Sequence, residues 1–257
     1  TTLTGTTANL INAYNSNGIS NLDNEAVTLS DTTLAVADLN TLDTKTTGQI
    51  NANTVQTLTG ATTALITAYN STQIDNLGDE DVTLSDTTLA VADLNTLDTK
   101  TTGQINASTV ETLNGAATAL ITAYNSNGIT NLGNEAVTAS GNTSVADANT
   151  LAGKTTGVVT ATITEGDMAT LAGLTGSGNA YTITITENSV AAAALNTLDG
   201  KTTVAIDAST VQTLNGAATA LITAYNSNGI TNLGNEAVNV NTGTASVADA
   251  NTLAGKT

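Results

Sequence analysis

The chain has no cysteine, histidine, arginine, proline, tryptophan or phenylalanine among its 257 residues, and a single methionine. Without histidine and cysteine it can build no Ser-His-Asp or Cys-His nucleophile and no ordinary zinc, haem or iron–sulfur site. Five lysines and five tyrosines supply neither phosphate clamps nor base-stacking platforms, which argues against nucleic acid as a partner. No disulfide can form, so cysteine usage says nothing about the redox compartment. No apolar run reaches the length of a membrane span, and none is expected. The N-terminal stretch lacks a basic region followed by an apolar one, so no signal peptide is read in this segment.

What remains is small and acidic. Threonine alone accounts for 56 residues, and five lysines face 22 acids for a net charge of −17. The 40% hydrophobic fraction is mostly Ala, Leu, Val and Ile, enough for a thin core rather than a thick globular one. Length alone suggests one or two domains.

Internal similarity decides the organisation. TLTGATTALITAYN at 57–70 returns as TLNGAATALITAYN at 112–125 and 213–226, and as TLTGTTANLINAYN at 2–15. Tyr14, Tyr69, Tyr124 and Tyr225 therefore lie at spacings of 55, 55 and 101. A second block, TLAVADLNTLDTKTTGQINA, fills 33–52 and 88–107, with weaker versions near Ser144, Ser189 and Ser246. All five lysines (45, 100, 154, 201, 256) fall at one place in it.

Alternation of apolar and polar residues predicts nine strands, beginning at Val27, Ile50, Val82, Ile105, Val137, Val159, Tyr181, Val204 and Val238. Between them the period is helical. Leu34, Val36, Leu39 and Leu42 predict a helix over 31–43, with Ser30-Asp31 at its N-terminus and Lys45 beyond its C-terminus. Val110, Leu113, Ala117, Leu120 and Tyr124 predict a longer run capped by Ser108 and ended by Gly128 in a left-handed turn. Asn114-Gly115 interrupts that run, which is then one helix or two.

Strands joined through short helical connections run parallel with right-handed crossovers. The expected fold is α/β: a right-handed solenoid of strand–helix coils, parallel sheet on one face and short helices on the other, in a double repeat of about 55 residues. Residues 1–257 form one array, nine coils at about 4.8 Å giving roughly 45 Å. Neither end carries a distinct cap, so the array is expected to be an excerpt of a longer one or to have its ends covered by other copies.

No catalytic, cofactor-binding or metal site is assigned, and no enzymatic activity is expected. Thr28, Thr83, Thr138, Thr160, Thr162, Thr182 and Thr184, with Asn51, Asn106, Asp207 and Asn239, form the solvent face of the strands. That face is the alternative functional reading, a binding surface for ice or carbohydrate; β-branched Thr is equally the natural solvent-facing strand residue. Glu25, Glu80, Glu135 and Glu236 recur before strands, as Lys45 and Lys100 do, and Glu–Lys pairs along one edge are expected. Asp79-Glu80-Asp81 and Glu165-Gly166-Asp167 are the acidic runs that could take calcium, though solvated surface runs account for them as well. Carboxylate pairs for glycoside hydrolysis have no aromatic platform beside them. Asn70, Asn106 and Asn142 match the N-glycosylation pattern, as chance allows in so Asn- and Thr-rich a chain. The tyrosines fit core packing better than a ligand stripe.

VADLNTLDTKTTGQINAST, GVVTATITEGDMATLAGLTGSGNAYTITIT and AATALITAYNSNGITNLGNEAVT resemble repeats of very large, acidic, Thr-rich surface proteins of marine cyanobacteria and related bacteria, over nearly the whole chain. The resemblance implies an extracellular or cell-surface structural role, leaderless secretion, and adhesion or motility. It carries no site residue. Expected partners are further copies of the chain, in a spacer, fibre or sheath.

Overall fold

The computed structural model describes residues 1–257. The chain divides into two compact units, residues 1–115 with 122–133, and residues 116–121 with 134–257.

In the first unit the chain order is β1 (Thr2–Gly5), α1 (Thr7–Tyr14), β2 (Ala26–Leu29), β3 (Thr33–Ala35), α2 (Val36–Asp43), β4 (Ile50–Asn51), β5 (Thr57–Gly60), α3 (Thr62–Asn70), β6 (Ile74–Asp75), β7 (Asp81–Leu84), β8 (Thr88–Ala90), α4 (Val91–Asp98), β9 (Ile105–Asn106), β10 (Thr112–Ala116), α5 (Ala117–Asn125) and β11 (Ile129–Thr130); Ala116 and part of α5 are counted with the second unit. Every strand pair is parallel. One sheet runs β1-β2-β4-β6, a second β3-β5-β7-β9-β11, and β8 pairs with β10.

The second unit continues with β12 (Ala136–Thr143), α6 (Val145–Ala152), β13 (Val159–Ile163), α7 (Met168–Leu171), β14 (Ala180–Thr182), β15 (Ser189–Ala191), α8 (Ala192–Asp199), β16 (Ile206–Asp207), β17 (Thr213–Gly216), α9 (Ala218–Asn226), β18 (Ile230–Thr231), β19 (Ala237–Val240) and α10 (Val247–Ala254). Its sheets are β12-β13-β14, β15-β17-β19 and β16-β18, again all parallel. The α/β class, the parallel sheets and the alternation with short helices are as the repeat predicts, in a solenoid-like arrangement.

The coil itself differs from the sequence period. Thr33 pairs with Thr57 and Thr57 with Asp81, so the chain returns to the same height after 24 residues. Two such turns leave seven of the 55 residues over, so equivalent segments move to a different sheet in the next repeat: β1 pairs with β2, whereas its equivalent β5 pairs with β3 and β7. The strand wall is therefore divided among several sheets at corners such as Ser30-Asp31-Thr32. In the divergent stretch the coils shorten, Val137 pairing with Val159 and Thr160 with Ala180.

All nine expected strands are present. The structure adds others at the Thr-Leu segments that read as helix starts. Leu34 belongs to β3 and Leu113 to β10, and Val110 lies in the turn before it. Leu34 lies two positions before the buried Val36 and Leu113 four before the buried Ala117, and the second step imitates helical spacing. Gly60 ends β5 at φ +149, and a Cβ there would meet Val36 Cγ1 at 2.6 Å. Gly115 holds the same conformation beside Val91, so Asn114-Gly115 closes a strand rather than interrupting a helix. Gly128 is not left-handed; its N–H donates to Ser126 Oγ at 3.0 Å.

The helices contribute a narrow apolar stripe of three positions. α2 buries Val36, Leu39 and Leu42; α3 buries Thr62, Leu65 and Ala68. Against them lie inward strand residues such as Val27, Leu29, Ile50 and Leu58, all fully buried. A stripe at steps of three covers one layer, and the small residues around it keep adjacent coils at strand spacing.

Candidate functional site

The most developed polar cluster recurs with the long period around Glu25, Glu80, Glu135 and Glu236, all of which are buried. The chain turns inward before the strand at each of them. The Glu80 carboxylate accepts from Gly78 N at 2.8 Å and from the Tyr69 hydroxyl at 3.1 Å through Oε2, while Oε1 is enclosed without a partner. Glu236 takes the N–H groups of Gly234 and Asn235 at 2.9 to 3.1 Å. Asn24 N and Asn134 N donate to Glu25 and Glu135.

The backbone carbonyl of the same glutamate is held as well. Thr46, Thr101 and Thr155 donate their hydroxyls to the carbonyls of Glu25, Glu80 and Glu135 at 2.9, 2.7 and 2.6 Å. Each threonine hydroxyl also accepts the N–H two residues on, from Gly48, Gly103 and Gly157. A Cβ at any of these glycines would overlap the glutamate carbonyl. The Thr-Thr-Gly triplet is therefore the seat on which the preceding coil rests. Its variant Thr202-Thr203-Val204 holds Tyr181 instead, with Thr202 Oγ1 donating to Tyr181 O at 2.7 Å.

The electrostatics follow from this enclosure. Burial, then the Glu80 charge beside it, pushes the Tyr69 phenol above its ordinary value. Burial pushes Tyr181 up to about 12. Tyr225 is raised by burial and by Glu236, although its hydroxyl meets no partner in hydrogen-bond geometry. Burial alone would raise Glu236, but Tyr225 and the N–H groups of Gly234, Glu236 and Asn235 outweigh it, and the carboxyl lies below the ordinary range.

Glu–Lys pairing is not what the structure shows. Glu80 turns in to Gly78 and Tyr69, and Lys100 Nζ donates to Asn70 Oδ1 at 2.7 Å. A backbone N–H two residues away reaches the carboxylate at less cost in side-chain order than a long lysine. The tyrosines are half-buried rather than core residues, with Tyr181 the exception.

The acidic runs disperse. Asp81 Oδ1 accepts Gln104 N at 2.8 Å while Glu80 points inward. Glu165 caps α6 through Val145 N at 3.0 Å, and Asp167 caps α7 through Thr170 N at 2.8 Å. No group of three acidic, histidine or cysteine side chains is placed to hold a metal ion. Asp31 and Asp86 serve the preceding coil: each accepts the N–H and the hydroxyl of the residue opening a helix, Thr7 or Thr62, at 2.7 to 2.8 Å. Asp31 thus caps α1, 24 residues back, not the helix that follows it.

The solvent-facing strand residues fall in separate sheets. Thr28 pairs with Asn51, which pairs with Asp75; Thr83 pairs with Asn106, which pairs with Thr130. Thr138 pairs with Thr160, and Asn142 with Thr162, which pairs with Thr182. Asn239 pairs with Asn215, the amides hydrogen-bonding at 3.1 Å. Thr184 bridges to Asp207. Asn76, Asn131 and Asn232 sit left-handed at φ 63 to 65 and donate at 2.8 Å to Asn51, Asn106 and Asp207, a role the sequence reading missed. Of the glycosylation-pattern residues, Asn106 already accepts from Ser108 N and Asn131, and Asn142 lies in β12. No helix is long and apolar enough to cross a membrane.

No protein-family model, no curated protein and no solved structure matches the chain.

Proposed function

We propose that the chain is a length-building structural element of an extracellular or cell-surface protein, a spacer, fibre or sheath subunit that self-associates through its repeats. The observation that carries this reading is the use of the polar residues. Carboxylates, hydroxyls and amides recur at fixed phase, and most of their hydrogen bonds reach a neighbouring coil, as from Asp86 to Thr62 and from Thr101 to Glu80. Such a chain spends its polar groups on holding coils in register, which repeats independently of how many coils follow. The resemblance to acidic, Thr-rich bacterial surface proteins supports the same reading. A charge of −17 repels like copies at low ionic strength and is screened in a salt-rich medium.

Electron microscopy of the purified protein tests the proposal. Assemblies of regular width are expected at about 0.5 M salt, where the Debye length is a few ångströms, and fewer at low salt. Monodisperse particles without mutual contact at every salt concentration would overturn it.

A further inference from the structure

We propose that the notch between α7 and α8 binds a small anionic amphiphile, an aliphatic chain bearing a single carboxylate-type head group. The notch is a cavity of about 230 Å³, lined by Met168 and Leu171 on one side, by Ala194, Thr197 and Leu198 on the other, and by Lys201. Its origin is local. α7 is one turn of four residues, whereas α8 and α9 have eight and nine. Beyond Leu171 only a hydrogen-bonded turn to Leu174 follows, so α7 is a full helical turn shorter than the α8 it lies against.

Two features say what the space suits. Its walls are aliphatic, and a dry cavity of about 150 Å³ already holds a benzene ring, so 230 Å³ accommodates a short alkyl chain. Lys201 is its one charged lining residue and is half-buried. In a chain with five cations and 22 acids, a lone lysine beside an apolar notch selects an anion over a neutral or cationic head group. Thr197 Oγ1 donates to Ala193 O at 2.9 Å, so its proton is already used and Lys201 is left as the donor for the head group. The site lies where the long repeat is broken, and it holds the only methionine, a side chain suited to adaptable apolar contact.

That methionine makes the test direct. The full chain, labelled with ¹³C at the methionine methyl, gives one resonance to follow during titration with octanoate. A saturable shift is expected, with 1-octanol binding more weakly. Lys201→Gln should weaken octanoate several-fold and leave 1-octanol unchanged, as loss of one partly buried charge contact implies. Ala194→Leu, which fills the notch without an aromatic ring, should abolish the shift on titration while the methyl resonance of the free variant stays in its folded range. A resonance unmoved by octanoate overturns the proposal. So does equal binding of octanoate and 1-octanol, or octanoate affinity unchanged in Lys201→Gln.

Discussion

Thr101 reaches back 21 residues to donate its hydroxyl to the Glu80 carbonyl at 2.7 Å, and the same oxygen accepts the N–H of Gly103 at 3.0 Å. One hydroxyl joins two coils and shapes the turn that lets them touch. Replacing Thr101 with Val leaves both partners unsatisfied in a buried place, at a cost of about 1–3 kcal/mol. Thr101→Ser keeps the hydroxyl and should cost much less. Urea unfolding of the two variants checks this; equal stability would show that the hydroxyl is not what joins the coils.

Gly103→Ala is expected to be more damaging, because its Cβ would overlap the Glu80 carbonyl, which is backbone and cannot swing aside. Gly200 offers the contrast. It ends α8 in ordinary helical geometry at φ −69, and a Cβ there meets nothing closer than 3.5 Å. Gly200→Ala should stabilise by about 0.4–1 kcal/mol through the unfolded state. Calorimetric melting should move in opposite directions for the two variants.

Asp86→Ala removes the acceptor shared by the Thr62 N–H and hydroxyl. A lost N-cap costs about 0.5–2 kcal/mol, and here it also loosens one coil from the next. Hydrogen exchange should accelerate at the amides of α3 more than at those of α4, which follows Asp86 in the chain. Faster exchange confined to α4 would contradict the cross-coil assignment. Lys100→Gln, whose partner is the exposed Asn70 amide, should barely move the melting temperature.

The pH dependence has two limbs. Glu236 and Asp207 lie below their ordinary values in the fold, the latter through the Asn232 amide and the Ser209 N–H. Groups depressed in the fold contribute stability above the unfolded value near 4 to 4.5, and it is lost as the pH falls through the folded one. At the alkaline end Tyr69, Tyr225 and Tyr181 are raised above 10 by burial. Their contribution is complete below pH 10 and is lost as the pH rises toward the folded values. Phenolate absorbance should therefore lag that of free tyrosine until the protein unfolds; titration of all five tyrosines near pH 10 would contradict their burial.

Much of the fold was legible in the residues. The 2-residue alternation around Val27, Val82 and Val159 marks strands, the steps Val36-Leu39-Leu42 mark a helix, and their short connections require parallel pairing. The buried cluster was only half legible. Glu80 and Thr101 stand out by recurrence, but recurrence does not say that the carboxylate turns inward. Nor does it say that Asp31 caps a helix earlier in the chain, since a carboxylate next to a helix start looks like that helix's own cap.

Chemistry along the chain set the kinds of elements, their order and the 55-residue recurrence, because these depend on local side-chain pattern. Packing decided the 24-residue coil. Strand partners are chosen by where the chain returns after going round the core, and that circumference depends on side-chain volumes and corner geometry. The seven residues left by two such turns carry equivalent strands, β1 and β5, into different sheets, because pairing follows the coil and not the sequence period.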